Sequence, residues 1–140
     1  MTPAATPLSI AVLTVSDSRT LAEDRSGDLL VERLTGAGHR LADRALVPDD
    51  RWRLRARVCA SIAERTVDVV LTTGGTGFTG RDTTPEALAP LFDKTIEGFG
   101  ELFRHLSWQE IGTSTIQSRA LGGLAGGTLI FCLPGSTGAC

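Results

Sequence analysis

The chain has 140 residues, of which 41% are hydrophobic, and a formal net charge of −2 at pH 7. These values indicate one domain that can bury an ordinary core, and without a basic cluster they disfavour a nucleic-acid-binding protein. The longest apolar runs are far too short to span a membrane. Residues 1–7 read as a flexible leader and not as a signal peptide, so we expect a cytoplasmic protein with a single domain over residues 8–140.

The first half of the chain alternates apolar β-branched runs with helical patterns. Residues 8–15 predict a central strand, residues 26–34 a helix, and residues 39–47 a half-buried strand of the kind found at sheet edges. Asp49 and Asp50 then begin a second helix, at the end where the helix dipole favours acids. We expect this helix to bury an apolar face made of Trp52, Ala56, Cys59, Ile62 and Ala63, and we expect Cys132 further along the chain to be buried as well.

The stretch from Val67 to Glu86 reads VDVVLTTGGTGFTGRDTTPE. It predicts a strand buried on both faces, a glycine-rich loop, and a helix that starts near Thr83 and Thr84. Glycines let a ligand approach main-chain N–H groups closely, and open α/β sheets bind anions at such a loop. The loop has no P-loop lysine and matches the dinucleotide fingerprint only loosely. We interpret it as a phosphate site, the alternative being a glycine-rich turn without a ligand.

The last third of the chain predicts one more helix and two more strands. Residues 98–110 carry an apolar stripe at helical spacing, which indicates core or a subunit interface. Residues 116–124 and 128–133 flank Ala125-Gly126-Gly127 and predict a hairpin or two edge strands. Because strands alternate with helices along the chain, the fold class is α/β with a mostly parallel sheet and helices on both faces.

Loops that follow parallel strands share one edge of the sheet, where this sequence supplies hydroxyls, glycine amides, acids and the Arg81 cation. No Ser-His-Asp set is evident. Phosphoryl or nucleotidyl transfer suits this inventory, because the substrate brings the nucleophile while the protein positions phosphates and holds Mg²⁺ through carboxylates. Asp49 and Asp82 are the best candidates for that role. Either could instead cap the helix that follows it, and the sequence leaves both readings open.

Several motifs, taken together, resemble the MoaB/MogA family of molybdenum-cofactor biosynthesis proteins. They are VLTVSD near Ser16, ALVPDD at Asp49, TTGGTGFTGRDTTPEA at Asp82, EGFGELFR, GTSTIQSRA at Ser118 and LPGST at Ser136. The match covers nearly the whole chain in order, and the glycine loop followed by RDTTPE is highly specific. The segment EIGTSTIQSRA resembles the MoaB branch more closely than the MogA branch.

The resemblance implies a three-layer α/β/α domain that assembles as a homotrimer or homohexamer and binds molybdopterin. In adenylyltransferase members, the terminal phosphate of molybdopterin attacks the α-phosphate of Mg-ATP, giving adenylylated molybdopterin and pyrophosphate. By motif, Asp49 and Asp82 would serve Mg-ATP and the transfer step. Phosphate would be cradled by Gly74, Gly75, Thr76 and Gly77. The pterin or its phosphate would be held by Thr14, Ser16, Ser107, Ser118 and Ser136.

Two departures from the family pattern leave alternatives open. Members of the MoaB branch are not uniformly active, so a non-catalytic molybdopterin-binding protein of the same pathway is one alternative. A small nucleotide-binding regulator without a pterin role is another. The family also continues into a final helix beyond Gly138-Ala139-Cys140, and here either the chain is cut short or that helix is absent.

Overall fold

The computed structural model describes residues 6–140, and its six strands form one sheet in the order β2-β1-β3-β6-β5-β4. The strands are β1 (Ser9–Val15), β2 (Arg40–Val47), β3 (Val69–Thr73), β4 (Lys94–Thr95), β5 (Leu121–Ala125) and β6 (Thr128–Leu133). β2, β1, β3 and β6 are parallel, whereas β5 is antiparallel to β6 and β4 is antiparallel to β5. The predicted mostly parallel sheet is confirmed, and the first five residues of the predicted leader lie outside the described residues.

Four helices cover the two faces of this sheet. They are α1 (Arg25–Gly36), α2 (Arg51–Glu64), α3 (Thr84–Leu88) and α4 (Glu97–Ile111), with short 3₁₀ turns at Leu21–Glu23, Ala89–Leu91, Gly112–Gln117 and Thr137–Ala139. Successive strand residues point to opposite faces, so Leu13 packs with α2 and α3 while Val12 packs with α1 and α4. The result is the expected three-layer α/β/α arrangement with one core on each side of the sheet.

Helix α2 buries a different face from the one the sequence predicted. Its buried residues are Leu54, Val58 and Ser61, which recur at helical spacing. Trp52 is 68% exposed and stacks against the Arg55 guanidinium, which lies 4.8 Å from the ring centroid. The predicted burial of Trp52, Ala56, Cys59 and Ala63 is therefore wrong, because all four are exposed and only Ile62 of that set packs against the core. Cys132 is buried, as predicted.

The chain between α4 and its end forms the predicted hairpin. β5 and β6 pair antiparallel, and the two residues between them, Gly126 and Gly127, have φ of 56° and 87°. Two successive positive φ values are what the tight hairpin turn requires. Neither strand lies at an edge of the sheet, because β4, which the sequence analysis missed, pairs with the outer side of β5.

Helix α4 divides its apolar stripe between the core and the surface. Phe99 and Phe103 pack against the sheet, and the Phe99 ring lies 4.7 Å from that of Phe131, centroid to centroid. Leu102 and Leu106 point outward and are more than half exposed. Within residues 6–140, no helix is long and apolar enough to cross a membrane.

Candidate functional site

A cavity of about 640 Å³ lies at the carboxyl ends of the parallel strands, within the size range of small-molecule sites. The loops after β1, β3 and β6 line one side of it, and the second half of α4 lines the other. Since β2 is parallel to β1, Asp49, which lies two residues beyond its end, reaches the same edge. The cavity therefore brings together most of the predicted site residues: Ser16, Asp49, Gly74, Gly75, Thr76, Gly77, Asp82, Ser107, Ser118 and Ser136.

The glycine loop after β3 needs glycine at three positions. Gly74 and Gly75 have φ of 101° and 73°, a region that side chains rarely adopt. A Cβ atom on Gly74 would lie 2.4 Å from the Val15 carbonyl oxygen, and one on Gly75 would lie 2.2 Å from Thr84 Oγ1. At Gly77 it would meet Asp82 Oδ2 at 2.6 Å. The close approach of neighbouring groups therefore explains why these three positions are glycine.

Helix α3 holds the start of this loop from one side. Thr84 Oγ1 donates to the Gly74 carbonyl and the Thr84 N–H donates to the Gly75 carbonyl, both at 3.0 Å. In a trans peptide the N–H points opposite to the preceding carbonyl, so the N–H groups of Gly75 and Thr76 point away from Thr84. Within the described part of the chain, neither N–H donates to an acceptor. Such adjacent main-chain N–H groups form a concavity suited to an anion.

Asp49 joins the loop after β2 to the start of α3. Its Oδ1 accepts from the Thr83 N–H at 3.3 Å and from the Thr83 hydroxyl at 3.2 Å. Burial raises the pKa of the Asp49 carboxyl, and the nearby Asp82 and Asp17 charges add to the rise, although the Thr83 bonds oppose it. The cap of α2 is Asp50, which accepts from the first N–H groups of that helix. Asp49 is therefore not a helix cap.

Asp82 lies beneath the glycine loop. Its Oδ2 accepts from the Thr79 N–H at 3.0 Å and from the Thr79 hydroxyl at 2.7 Å. The bond from the Thr79 hydroxyl is the main reason that the pKa of the Asp82 carboxyl is lowered, against a smaller effect of burial. The N-cap position of α3 is Thr83, and the bonds of Asp82 reach backward along the chain. The cap interpretation of Asp82 is therefore wrong as well.

Asp17 ties three of the site loops together, a role that the sequence analysis did not assign. Its Oδ1 accepts from the Asp49 N–H at 3.0 Å, and its Oδ2 accepts from Arg81 Nε and Nη2 at 3.0 and 2.8 Å. The Arg81 bonds hold the pKa of the Asp17 carboxyl below its usual value. Arg81, the cation that the sequence supplies at this edge of the sheet, is thus paired with a carboxylate that lines the cavity.

The predicted hydroxyl groups do not all reach the cavity. Thr14 is 1% exposed, and its hydroxyl donates to Asp24 Oδ2 at 2.7 Å. Thr14 is not among the residues that line the cavity, although its neighbour Val15 is. Ser118 Oγ, by contrast, belongs to a lining residue and is buried without a partner among the described residues. A buried hydroxyl without a partner is costly, so a ligand that bonds to Ser118 would recover that cost.

The carboxylates fit a magnesium ion that arrives with a nucleotide. Among residues 6–140 there is no group of three or more acidic, histidine or cysteine side chains that could hold a metal by itself. Mg²⁺ is usually bound by one or two carboxylates together with substrate phosphates. Asp49 Oδ2 accepts no hydrogen bond from the described residues, and Asp82 is close enough to raise the pKa of Asp49. These two neighbouring side chains can supply carboxylate oxygens to such an ion, whereas Asp17 is already paired with Arg81.

Comparisons with known proteins agree with this fold. A family described as "probable molybdopterin binding domain" matches residues 11–140. Molybdenum cofactor biosynthesis protein B of Escherichia coli K12 is 56% identical over 134 residues, which cover 96% of this chain and 79% of that protein. A crystal structure of a molybdenum cofactor biosynthesis protein B, 47% identical, superposes with a TM-score of 0.92 over 96% of this chain and 84% of that one. The tungsten cofactor synthesizing protein MoaB of Pyrococcus furiosus, 39% identical, gives 0.87 over 97% and 87%.

Proposed function

The chain belongs to the MoaB/MogA family of molybdenum-cofactor biosynthesis proteins, and from this premise we propose that it is a molybdopterin adenylyltransferase. In the proposed reaction, an oxygen of the terminal phosphate of molybdopterin attacks the α-phosphorus of ATP. The bond from that phosphorus to the bridging oxygen breaks, and pyrophosphate leaves. The products are adenylylated molybdopterin and pyrophosphate.

The proposal rests on one observation, namely that two carboxylates and adjacent main-chain N–H groups lie at the same cavity. The N–H groups of Gly75 and Thr76 would bind phosphate oxygens, since they lack acceptors among the described residues. Asp49 and Asp82 would hold Mg²⁺ together with the ATP phosphates. The ion would neutralise phosphate charge, which is the main requirement of phosphoryl-type transfer.

The chemistry needs no general base. A phosphate monoester is already anionic at neutral pH, so the attacking oxygen carries no proton that a side chain must remove. The residues lining the cavity include no histidine, and a positioning site can work without one. Four of the serines that line the cavity would instead bind the pterin or its phosphate: Ser16, Ser107, Ser118 and Ser136.

One observation favours a second candidate, a molybdopterin-binding protein without transfer activity. Asp82 Oδ2 is engaged by two Thr79 groups, so this carboxylate already has a part in holding the loop. If that is its only part, the cavity would bind the pterin and catalyse nothing. Both candidates place the protein in molybdenum-cofactor biosynthesis.

We also propose that the protein acts in the cytoplasm as a homotrimer or a homohexamer. The support for assembly is helix α4, where Leu102, Leu106 and Trp108 are each more than half exposed. A cluster of large apolar side chains on one helix is typical of a protein–protein contact. A second copy of this chain would cover it.

The deciding experiment incubates the protein with molybdopterin, ATP and MgCl₂ and measures pyrophosphate release. Asp82→Asn should lower the rate on the order of 10²–10³-fold, as expected when a positioned charge is lost from the transition state. Asparagine still has an oxygen to accept the Thr79 bonds, so stability and molybdopterin binding should be kept.

The matched control is Asp50→Asn. Asp50 caps α2 outside the cavity, and asparagine caps a helix about as well as aspartate. Its rate should equal that of the parent. If the parent binds molybdopterin but releases no pyrophosphate, the binding-protein candidate is correct. Binding of ATP without binding of molybdopterin would contradict both candidates.

A further inference from the structure

Arg119 lies between α4 and β5, and its guanidinium contacts the far side of the glycine loop. Nε donates to the Thr76 carbonyl at 2.9 Å, and Nη2 donates to the carbonyls of Gly77 at 2.6 Å and Asp82 at 3.2 Å. Nη1 pairs with the Glu86 carboxylate. One side chain thus binds the loop at both ends and ties it to α3.

These bonds complete a row of four fixed carbonyls. Thr84 holds the carbonyls of Gly74 and Gly75, and Arg119 holds those of Thr76 and Gly77. Because each carbonyl sets the direction of the next N–H in the chain, two residues, Thr84 and Arg119, determine the orientation of the peptide planes in this part of the loop. Thr84 is part of the helix that the loop leads into, whereas Arg119 comes from a segment about 40 residues further along the chain.

Arg119 does not serve as a cation for the ligand. It is absent from the residues that line the cavity, and its charge is offset by Glu86. The Phe78 ring covers it, with 5.5 Å between the guanidinium carbon and the ring centroid, and the side chain is 24% exposed. Its neighbour Ser118 does line the cavity. Arg119 therefore acts on the site through the backbone that it holds.

We propose that Arg119 is a positioning residue that holds the glycine loop in its phosphate-binding conformation and seats Ser118 beside it. The planar guanidinium is required, because three donors in a fixed fork reach three carbonyls at once, whereas a lysine ammonium is a single compact charge. The catalytic part of this inference rests on the adenylyltransferase proposal. The loop-holding part does not, since it concerns the protein without ligand.

The test compares Arg119→Met and Arg119→Lys with the parent and with Arg57→Met. Arg57 is a matched control, since among the described residues its guanidinium pairs with Asp43 alone, on the outside of the domain. Hydrogen exchange is measured for the hydrogen-bonded amides of the loop, Gly74, Thr79 and Asp82, and for the rest of the chain. Arg119→Met should speed exchange in the loop by about 10-fold or more, the effect of losing roughly 1.4 kcal/mol of local stability. Exchange elsewhere should match Arg57→Met.

Kinetics with molybdopterin and Mg-ATP supply the second measurement. Misplacing the phosphate cradle should lower kcat of Arg119→Met on the order of 10²-fold, with a smaller change in KM for molybdopterin. Arg119→Lys should recover little of either effect. Equal acceleration of exchange throughout the chain, or full recovery by lysine, would overturn the inference. If the parent shows no transfer, the proposed function fails, while the exchange measurement still decides the role of Arg119.

Discussion

Replacing Gly75 with alanine should strain the backbone and also break the contact that holds the loop to α3. Gly75 has φ of 73°, and a left-handed conformation costs a non-glycine residue about 1–2 kcal/mol. The new Cβ atom would lie 2.2 Å from Thr84 Oγ1, so Thr84 must move and lose its bond to the Gly74 carbonyl. Thr84 is fully buried, and a buried group left without a partner costs about 1–3 kcal/mol.

The two effects together predict a loss of about 2–5 kcal/mol in the free energy of unfolding. That is a large share of the roughly 5–15 kcal/mol that stabilises a typical domain. Valine would add bulk beside Val15 Cγ1 and Asp49 Oδ1, which lie 3.1 and 3.3 Å from the Cβ position. Phosphate binding should be lost in whatever fraction of either variant remains folded. Urea unfolding measures the first effect and titration with molybdopterin the second.

Two glycines elsewhere separate the components of this estimate. Gly38 has φ of 89° with no atom within 4 Å of its Cβ position, so Gly38→Ala should lose only the strain of about 1–2 kcal/mol. Gly80 has an equally open Cβ position and no positive φ, so Gly80→Ala should change stability very little. If Gly75→Ala loses no more than Gly38→Ala, the Thr84 contact is unimportant. If it matches Gly80→Ala, the whole argument is refuted.

Three further predictions concern pH, assembly and thiol chemistry. The raised pKa of Asp49 means that the folded protein binds this proton more tightly than the unfolded chain does. This group therefore lowers stability as pH rises from the ordinary aspartate pKa of 3.8 through the raised pKa. Asp49→Asn should therefore be more stable than the parent at pH 7, and the difference in stability should shrink as pH falls through that window. Urea unfolding at several pH values measures this difference, and a difference independent of pH would contradict the prediction. At micromolar concentration, sedimentation of the parent should give the mass of three or six chains, and Leu106→Glu should lower that mass. A monomeric mass for the parent would contradict the proposed assembly. Burial raises the pKa of the Cys132 thiol to about 12. In the folded protein at neutral pH, iodoacetamide should therefore label the exposed Cys59 and spare Cys132, which mass spectrometry would detect. Equal labelling of both would show that Cys132 is accessible.

The local pattern of the sequence was enough to predict the order of the main elements and the place of the site. Apolar runs with β-branched residues become β1 and β3 because strands buried on both faces need such residues. Glycines after β3 predict a ligand loop because only glycine adopts positive φ cheaply. Parallel connections then bring the loops to one edge, which places Ser16, Asp49 and Gly75 in one cavity without knowledge of any long-range contact.

Only the tertiary structure decided what each side chain does there. Asp49 is bonded to Thr83, 34 residues away, and not to the helix that follows it. The Thr14 hydroxyl is taken by Asp24. Arg119 contacts Thr76, 43 residues away in the chain, and no periodicity or spacing in the sequence indicates this contact. Helix periodicity and turn chemistry are local properties of the chain, whereas the partner of a carboxylate or guanidinium depends on which segments the packed sheet brings together.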